Sequence, residues 1–261
     1  MPELPDLHVF AGNLSKRILN KNIASVTVYD TRMIATPDYY SQKIAGTFIS
    51  DIVRDGKELF FYLANKNRFS VHLMLSGRFF IGNHDEAENI KAKIMGLCFD
   101  DNENFIVSDL QKLCRVSLNP KPPRAPDAMS GKFSYEYFSG AIKKSAYGNI
   151  KALLIDQKFV RGIGNAYADE ILWKAGISPE SFAGKIPEEK IKDLYEAIPF
   201  VFNDAIQNIQ RLAPDIISGE ERSFLRVHNR DKKVTGEGDR IIVKTVASKT
   251  TYFTDKQKKY M

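Results

Sequence analysis

Apolar residues near the start of the chain recur at helical spacing and then give way to an alternating pattern. Leu7, Phe10, Leu14 and Ile18 lie three or four residues apart, which predicts an amphipathic helix over 6–19. Eight short runs of β-branched and aromatic residues follow, separated by turn-forming stretches such as "RDGK" and "NKNR". Their spacing predicts an antiparallel β-sandwich or barrel. The runs are "IASVTVY", "FISDIV", "ELFFYLA", "FSVHLML", "RFFIG", "KIMGLCFD", "NFIVSD" and "LCRVSLN".

The pattern changes at the proline-rich stretch "NPKPPRAPDA", which predicts a linker because four prolines cannot sit inside a helix or a central strand. Helical periodicity follows over 135–143, 150–157, 165–175 and 188–211. In the last forty residues, "FLRVHN", "RIIVKTV" and "TTYFTDK" predict a β-hairpin with an extra strand. We therefore expect an α+β multidomain protein with a sandwich domain at 1–121, a helical domain at 122–221 and a hairpin at 222–261.

Composition narrows the class of protein. Among 261 residues, 43% are hydrophobic and 27% charged, which is typical of a globular protein. No apolar run is long enough to cross a membrane, and the N-terminus lacks the pattern of a signal peptide. Residues 222–261 hold 11 Lys/Arg against 4 Asp/Glu, although the whole chain carries only +6. This concentration favours contact with a polyanion, and a solvated basic tail is the alternative.

A glycine-bearing turn between two predicted helices is the first candidate site. In "RGIGNAY", Gly162 and Gly164 permit a tight turn, and Asn165 is a suitable N-cap for the next helix. Free N–H groups at such a helix start would suit a phosphate. An ordinary connection between two helices explains the same pattern.

The wider stretch carries a resemblance. "GIGNAYADEILWKAGISP" at 162–179 is similar to the helix–two-turns–helix element of the formamidopyrimidine-DNA glycosylase and endonuclease VIII family, and the opening "MPELP" resembles the N-terminus of that family. The resemblance implies an N-terminal helix with an antiparallel β-sandwich, a helical domain and a C-terminal β-hairpin. It also implies a bifunctional DNA glycosylase with AP-lyase activity that excises oxidised bases from duplex DNA.

The resemblance assigns the catalytic residues. Pro2 is the implied nucleophile once Met1 is removed, and Glu3 is the implied general acid and base. An α-amino group has a pKa of about 7.7–8.0, so roughly a quarter of it is neutral near pH 7.4 and can attack a sugar carbon. Lys57, in the "GK" of "RDGKELF", is the implied phosphate-contacting lysine.

The DNA contacts implied by the resemblance are Gly164, Asn165, Lys112 and Lys249. Family members fill the gap left by the flipped nucleotide from an Arg-Arg-Phe-Gly stretch. This chain has "DLQKLC" there, so the candidates for insertion are Leu113 and, from the loop "HLMLSG", Met74 and Leu75. Core packing is the alternative role for these apolar side chains.

The C-terminal hairpin departs from the family. Many members carry two C-x2-C pairs that bind zinc, but this chain has Thr235 and Gly238 at the first pair and Thr254 and Gln257 at the second. We therefore expect a zincless finger, with no metal and no cofactor. His8, His72 and His84 have no metal-like spacing and are interpreted as surface or core histidines.

Several alternatives stay open from the sequence. The short segment before "FLRVHNRD" favours oxidised pyrimidines and ring-opened purines over 8-oxoguanine as lesions. A protein that binds damaged DNA or abasic sites without catalysis is the alternative function, and RNA binding through the helical element is a third. We expect damaged double-stranded DNA as partner, a monomer that does not contact membranes, and a bacterial cytoplasmic location at the nucleoid.

Overall fold

The structure is a computed structural model that describes residues 1–145 and 148–261. Two compact units divide the chain. The first comprises Met1–Pro2, Asp6–Pro122 and Gln210–Glu220, and the second comprises Glu3–Pro5, Pro123–Ile209 and Glu221–Met261.

Two four-stranded antiparallel sheets form most of the first unit. One has the strand order β1-β6-β7-β5 and the other β2-β3-β4-β8. The strands are β1 (Ile23–Val28), β2 (Ile49–Asp55), β3 (Glu58–Leu63), β4 (Arg68–His72), β5 (Arg78–Gly82), β6 (Lys93–Phe99), β7 (Asn104–Ser108) and β8 (Arg115–Leu118). Three helices accompany them: α1 (Leu4–Ile18), α2 (Pro37–Ile44) and α3 (His84–Glu88).

The core of the first unit follows from the alternation of its strands. Phe61 and Phe69 on neighbouring strands are fully buried and stack with ring centroids 4.6 Å apart. The apolar stripe of α1, formed by Leu7, Phe10 and residues at the same spacing, packs into this core. The same alternation that identified the strands therefore decides which of their faces is buried.

The second unit is helical and ends in a hairpin. Its helices are α4 (Tyr135–Lys144), α5 (Ile150–Ile155), α6 (Asn165–Lys174) and α7 (Glu188–Leu212), with a short 3-10 helix at Ala183–Lys185. Strands β9 (Ile241–Val246) and β10 (Lys249–Thr254) form a separate antiparallel sheet. Tyr167, Phe138 and Phe202 are buried in the core of this unit, and nearly all of α6 is inaccessible to solvent.

The predicted fold class is confirmed, and all eight predicted strands are present. Two helices, α2 and α3, were not predicted. The predicted extra strand at "FLRVHN" is wrong, because residues 224–229 form a loop. Among the described residues, none of the helices combines the length and apolar character needed to cross a lipid bilayer.

Candidate functional site

The side chain of Glu3 lies at the start of α6. The N–H of Ala166 donates to one carboxylate oxygen at 3.0 Å and the N–H of Tyr167 to the other at 3.4 Å. These are first-turn N–H groups, which have no partner inside the helix. The N-cap, Gly164, has no side chain to satisfy them. A carboxylate 161 positions earlier in the chain therefore caps this helix, and Glu3 is only 4% exposed.

The glycines of the turn make room for this contact. A Cβ added at Gly164 would lie 2.3 Å from the carboxyl carbon of Glu3, and one added at Gly162 would lie 2.5 Å from a methyl carbon of Leu4. Gly162 also has φ +104°, which favours glycine. The need for glycine at both positions of "GIG" is therefore explained by the close approach of Glu3 and Leu4 as well as by the geometry of the turn.

Two expectations about this turn are wrong. Asn165 is not the N-cap, since Gly164 occupies that position. The helix start is not an open phosphate site, because Glu3 accepts from its N–H groups. The side chain of Asn165 instead donates to the carbonyl of Thr250 in β10, with a nitrogen-to-oxygen distance of 2.9 Å.

A buried lysine lies beside this carboxylate. Lys151 on α5 is fully buried, with its ammonium 2.7 Å from Asp169 and 2.5 Å from the hydroxyl of Thr251. Burial lowers the pKa of Lys151, while the charges of Asp169 and Glu3 act in the opposite direction. Sequence reasoning missed this residue, although a lysine between the buried positions Ile150 and Leu154 was a readable signal.

Pro2 and Lys57 lie in the first unit. Pro2 is buried, and the ammonium of Met1, which precedes it, contacts Glu220. Lys57 stands in the turn between β2 and β3 with only 9% of its surface exposed, so it is not the solvated lysine usual in such a turn. Burial lowers the pKa of His72 to about 4, and the charge of Lys57 adds to the shift.

His72 has a local structural role. Its Nδ1 accepts a hydrogen bond from the N–H of Met74 at 3.0 Å, which requires a ring nitrogen without a proton. Met74 has φ +53°, a left-handed conformation that is costly for a residue with a side chain. The neutral ring of His72 therefore helps to hold the turn that follows β4.

Comparison with known proteins identifies the family. Residues 1–116 match the profile of the formamidopyrimidine-DNA glycosylase N-terminal domain, and residues 125–213 match that of the formamidopyrimidine-DNA glycosylase H2TH domain. This chain belongs to the formamidopyrimidine-DNA glycosylase family. The resemblance read from the two sequence motifs is thereby confirmed.

Individual relatives are similar over most of the chain. The formamidopyrimidine-DNA glycosylase of Carboxydothermus hydrogenoformans is 31% identical over 87% of this chain and 86% of its own length. That of Enterococcus faecalis is 33% identical over 79% of this chain and 77% of its own. The Lactococcus lactis Fpg bound to DNA with an abasic site superimposes with a TM-score of 0.87 and 26% identity, covering 99% of this chain and all of the other.

The gap-filling candidates of this family member lie on two loops of the first unit. Leu75 is 58% exposed and Leu113 41%, whereas Met74 is half-buried. Leu110, which sequence reasoning passed over, is 75% exposed, more than any other large apolar side chain of the described residues. Its position two residues after the end of β7, outside the strand alternation, was the signal for it.

Asp109 organises the second of these loops. Its buried carboxylate accepts from the N–H groups of Gln111, Leu113 and Cys114 at 3.0, 2.7 and 2.7 Å. It also accepts from the hydroxyl of Ser76 on the first loop. Burial alone would raise the pKa of Asp109, but these hydrogen bonds hold it below its usual value.

Lys112 is partly neutralised. Its ammonium lies 2.8 Å from the carboxylate of Asp30, which also binds Arg32 at 2.9 Å. Hydrogen bonds from Arg32 and Lys112 lower the pKa of Asp30. Two cations face one carboxylate, so the cluster keeps a positive charge at the surface.

Lys249 stands at the tip of the hairpin. It is the first residue of β10, exposed, and it pairs with Val246 across a two-residue turn. The turn residues Ala247 and Ser248 both have positive φ, 51° and 59°, as a tight hairpin of this type requires. The exposure of Lys249 and its position at the hairpin tip are compatible with the predicted contact to a phosphate.

The residues at the family's zinc positions do not fit a zinc ion. The hydroxyl of Thr235 accepts from the N–H groups of Glu237 and Asp239 at 3.3 and 3.2 Å. The side chain of Gln257 accepts from the N–H of Thr254 and donates to the carbonyl of Ile177, both at 2.8 Å. The side chains of Thr235 and Gln257 are thus engaged in hydrogen bonds where thiolates would stand. Nowhere in residues 1–145 and 148–261 do three or more His, Cys, Asp or Glu side chains cluster as metal ligands would.

Proposed function

We propose that this protein is a bifunctional DNA glycosylase and AP lyase that removes oxidised bases from duplex DNA and then cuts the strand. The observation that carries the proposal is the capture of the Glu3 carboxylate by α6. Because Glu3 follows Pro2 directly, the contact fixes a carboxylate one residue from the proposed nucleophile. Family membership and DNA-bound structural relatives support the same function.

The chemistry begins with the amine of Pro2, which removal of Met1 releases. The neutral amine attacks C1′ of the damaged nucleotide, the glycosidic bond breaks, and the departing base takes up the proton that the nitrogen loses. Opening of the sugar ring gives a cationic Schiff base between Pro2 and C1′. This cation acidifies the C2′ proton, whose loss breaks the bond between C3′ and the 3′ phosphate oxygen.

Glu3 supplies the proton transfers of this sequence. It protonates the ring oxygen of the sugar and accepts and returns protons during the Schiff-base steps. Two N–H donors and the closeness of Gly164 restrict its side chain to one region. A general acid and base must lie within hydrogen-bonding reach of the reacting group. The contact with α6 serves the proposed reaction by holding the Glu3 carboxylate in one place.

Positive charge positions the DNA. Lys57 contacts a phosphate near the lesion, and Lys112 and Lys249 contact phosphates elsewhere along the duplex. Gly164 and Asn165 complete the predicted DNA-binding set on the family resemblance alone, because Glu3 already binds the N–H groups of Ala166 and Tyr167 at this helix start. Binding that depends on such contacts weakens steeply with salt, and Lys249→Ala should reduce the salt slope by about one unit.

The finer properties stay predictions. We propose that oxidised pyrimidines and ring-opened purines are the preferred lesions, on the basis of the short segment before "FLRVHNRD". A panel of duplexes carrying single lesions, scored for cleavage, tests this preference. The monomeric state and the location at the bacterial nucleoid also stay predictions.

Borohydride trapping on an oligonucleotide with an abasic site tests the function itself. Borohydride reduces the Schiff base to a stable covalent adduct, which we expect for the wild type. We expect loss of the adduct in Pro2→Glu, because a large second residue retains Met1 and leaves the nitrogen of residue 2 as an amide, and retention of the adduct in Pro122→Gly, a change in the linker. Intact-mass measurement should show that Met1 is absent. Binding to abasic DNA without an adduct would instead support the non-catalytic alternative.

A further inference from the structure

A chain of buried polar groups ends at the tip of the C-terminal hairpin. The ammonium of Lys151 donates to the hydroxyl of Thr251, with a nitrogen-to-oxygen distance of 2.5 Å. That hydroxyl donates in turn to the carbonyl of Lys249 at 2.9 Å. A hydroxyl can accept and donate at the same time, so Thr251 connects the two groups. The chain of contacts therefore runs from α5 to the backbone of the exposed lysine at the start of β10.

The inner end of this chain is held by charge. Lys151 and Thr251 are completely buried, and the ammonium of Lys151 lies 2.7 Å from one carboxylate oxygen of Asp169. The other oxygen of Asp169 accepts from the N–H of Tyr252 at 2.9 Å and lies 2.7 Å from Nδ1 of His228. Separating the buried ion pair would leave charges without partners in the interior, which is costly. The pair is therefore a firm point of attachment for β10.

The tip of the hairpin needs an attachment of this kind. Hydrogen bonds engage the side chains of Thr235 and Gln257 at the family's zinc positions, so contacts other than metal bonds must place the tip. The turn residues Ala247 and Ser248 both have left-handed φ, which costs free energy for residues with a side chain. Thr251 supports the residue that directly follows this turn.

We propose that Thr251 is a positioning residue, whose hydroxyl holds the backbone of Lys249 where the lysine ammonium meets a DNA phosphate. The proposal rests on the proposed function, which assigns that phosphate contact to Lys249. Thr251 does not itself touch the DNA, because it is fully buried. The buried pair of Lys151 and Asp169 thus supplies the fixed point that bound zinc supplies in a zinc-binding hairpin.

Binding to a duplex that carries a non-cleavable analogue of an abasic site tests the proposal. Loss of one phosphate contact lowers the salt slope by about one unit, which corresponds to about fivefold weaker binding near 0.15 M salt. We expect Thr251→Val, which keeps the shape of the side chain but lacks the hydroxyl, to reproduce this effect of Lys249→Ala. Thr251→Ser, which keeps the hydroxyl, should restore the wild-type slope. Thr245→Val, the same change at an exposed position on β9, should have no effect.

A double variant distinguishes positioning from a general loss of structure. If Thr251 acts through Lys249, Thr251→Val has no further effect in the Lys249→Ala background, because the contact is already absent. If the two losses of affinity multiply instead, Thr251 acts independently of Lys249 and the proposal is overturned. Thr251→Ala deletes the same hydroxyl without placing a methyl group near the ammonium of Lys151. It is the second deletion and should give the same slope.

Failure of this proposal and failure of the proposed function give different results. If the wild type forms no borohydride adduct, the proposed glycosylase and lyase function fails. If the adduct forms but Lys249→Ala leaves the salt slope unchanged, both the phosphate contact of Lys249 and its positioning by Thr251 are overturned. If Lys249→Ala lowers the slope and neither deletion of the Thr251 hydroxyl does, the contact stands and only the role of Thr251 is overturned.

Discussion

Glu3 and Asp109 perform the same physical task in different units, but over very different distances along the chain. Asp109 accepts from N–H groups two to five residues ahead of it. Glu3 accepts from N–H groups 163 and 164 residues away. The local carboxylate needs only its own loop to form. The distant one reaches its position only after the helical unit has folded, so its placement couples the proposed chemistry to the fold of α6.

Gly164→Ala should break the contact between Glu3 and α6, and we expect it to have the largest effect of the changes considered. The added Cβ would lie 2.3 Å from the carboxyl carbon of Glu3 and must displace it. Because a shift of about 1 Å in a catalytic group can cost about a hundredfold in rate, we expect a loss of that order in base excision and in strand cleavage. Single-turnover kinetics on a lesion-bearing duplex measure it.

Gly140→Ala is the matched control for this change. Gly140 lies in α4 of the same unit, and a Cβ there meets nothing within 4 Å. We expect unchanged kinetics and equal or slightly higher stability, because alanine favours helix more than glycine does. Near-normal activity of Gly164→Ala would show that Glu3 need not be fixed by α6.

The comparison explains what the sequence could and could not predict. Periodicity identified the strands and the long helices, because the alternating or helical spacing of buried residues can be recognised from neighbouring positions in the sequence. The glycine turn before α6 was recognised, but its anion was predicted as phosphate. No spacing rule connects Glu3 with Ala166, since only the tertiary fold brings them together. The partners of Lys151 could not be predicted for the same reason, because Asp169 and Thr251 lie on other elements.

Glu170→Gln tests a second distant carboxylate, with an effect on stability. Glu170 is buried and accepts from the N–H groups of Arg226, Val227 and His228 at 2.9, 2.8 and 2.8 Å. Burial raises its pKa despite these bonds. Replacing one carboxylate oxygen by an NH2 group sets a donor against these donors, which should lower the free energy of unfolding by about 2–3 kcal/mol.

Trp173, the single tryptophan, lies on α6 and reports unfolding of this unit by its fluorescence in urea. Glu196→Gln is the matched control. Glu196 is exposed on α7 and lies 4.0 Å from Lys192, a pair too open to solvent to contribute measurably. Equal unfolding curves for the two variants would contradict a structural role for Glu170.

Asp109→Asn tests the local carboxylate and should cost less, about 1–2 kcal/mol, because Ser76 and a short loop can readjust. The pKa of Asp109 is lower in the folded state than in the unfolded one. Its contribution is therefore complete above the unfolded value of about 3.9 and is lost as pH falls through the folded value.

The stability difference between wild type and Asp109→Asn should accordingly stay constant down to about pH 4 and narrow as pH falls further. Hydrogen exchange of peptides from β4 to β8 measures it in this unit. Gln111→Ala, a change at an exposed residue of the same loop that carries no titratable group, should give no pH-dependent difference. A stability difference that stays constant over the whole pH range would show that the ionised Asp109 carboxylate does not stabilise the loop.

Asn83→Ala probes the most local contact of all and should have the smallest effect. Asn83 caps α3 by accepting from the N–H of Glu86 at 2.9 Å, while the Glu86 side chain accepts from the N–H of Asn83 at 3.0 Å. Both partners lie within "NHDE", so the sequence contained the signal for this helix. Loss of such a cap typically costs about 1 kcal/mol, and Asn83→Ser should recover most of it because serine caps equally well.

Hydrogen exchange confined to residues 83–89 should increase in Asn83→Ala while cleavage kinetics stay unchanged. A loss of activity here would mean that local caps, too, act on the proposed chemistry, and the contrast between Asp109 and Glu3 would no longer hold.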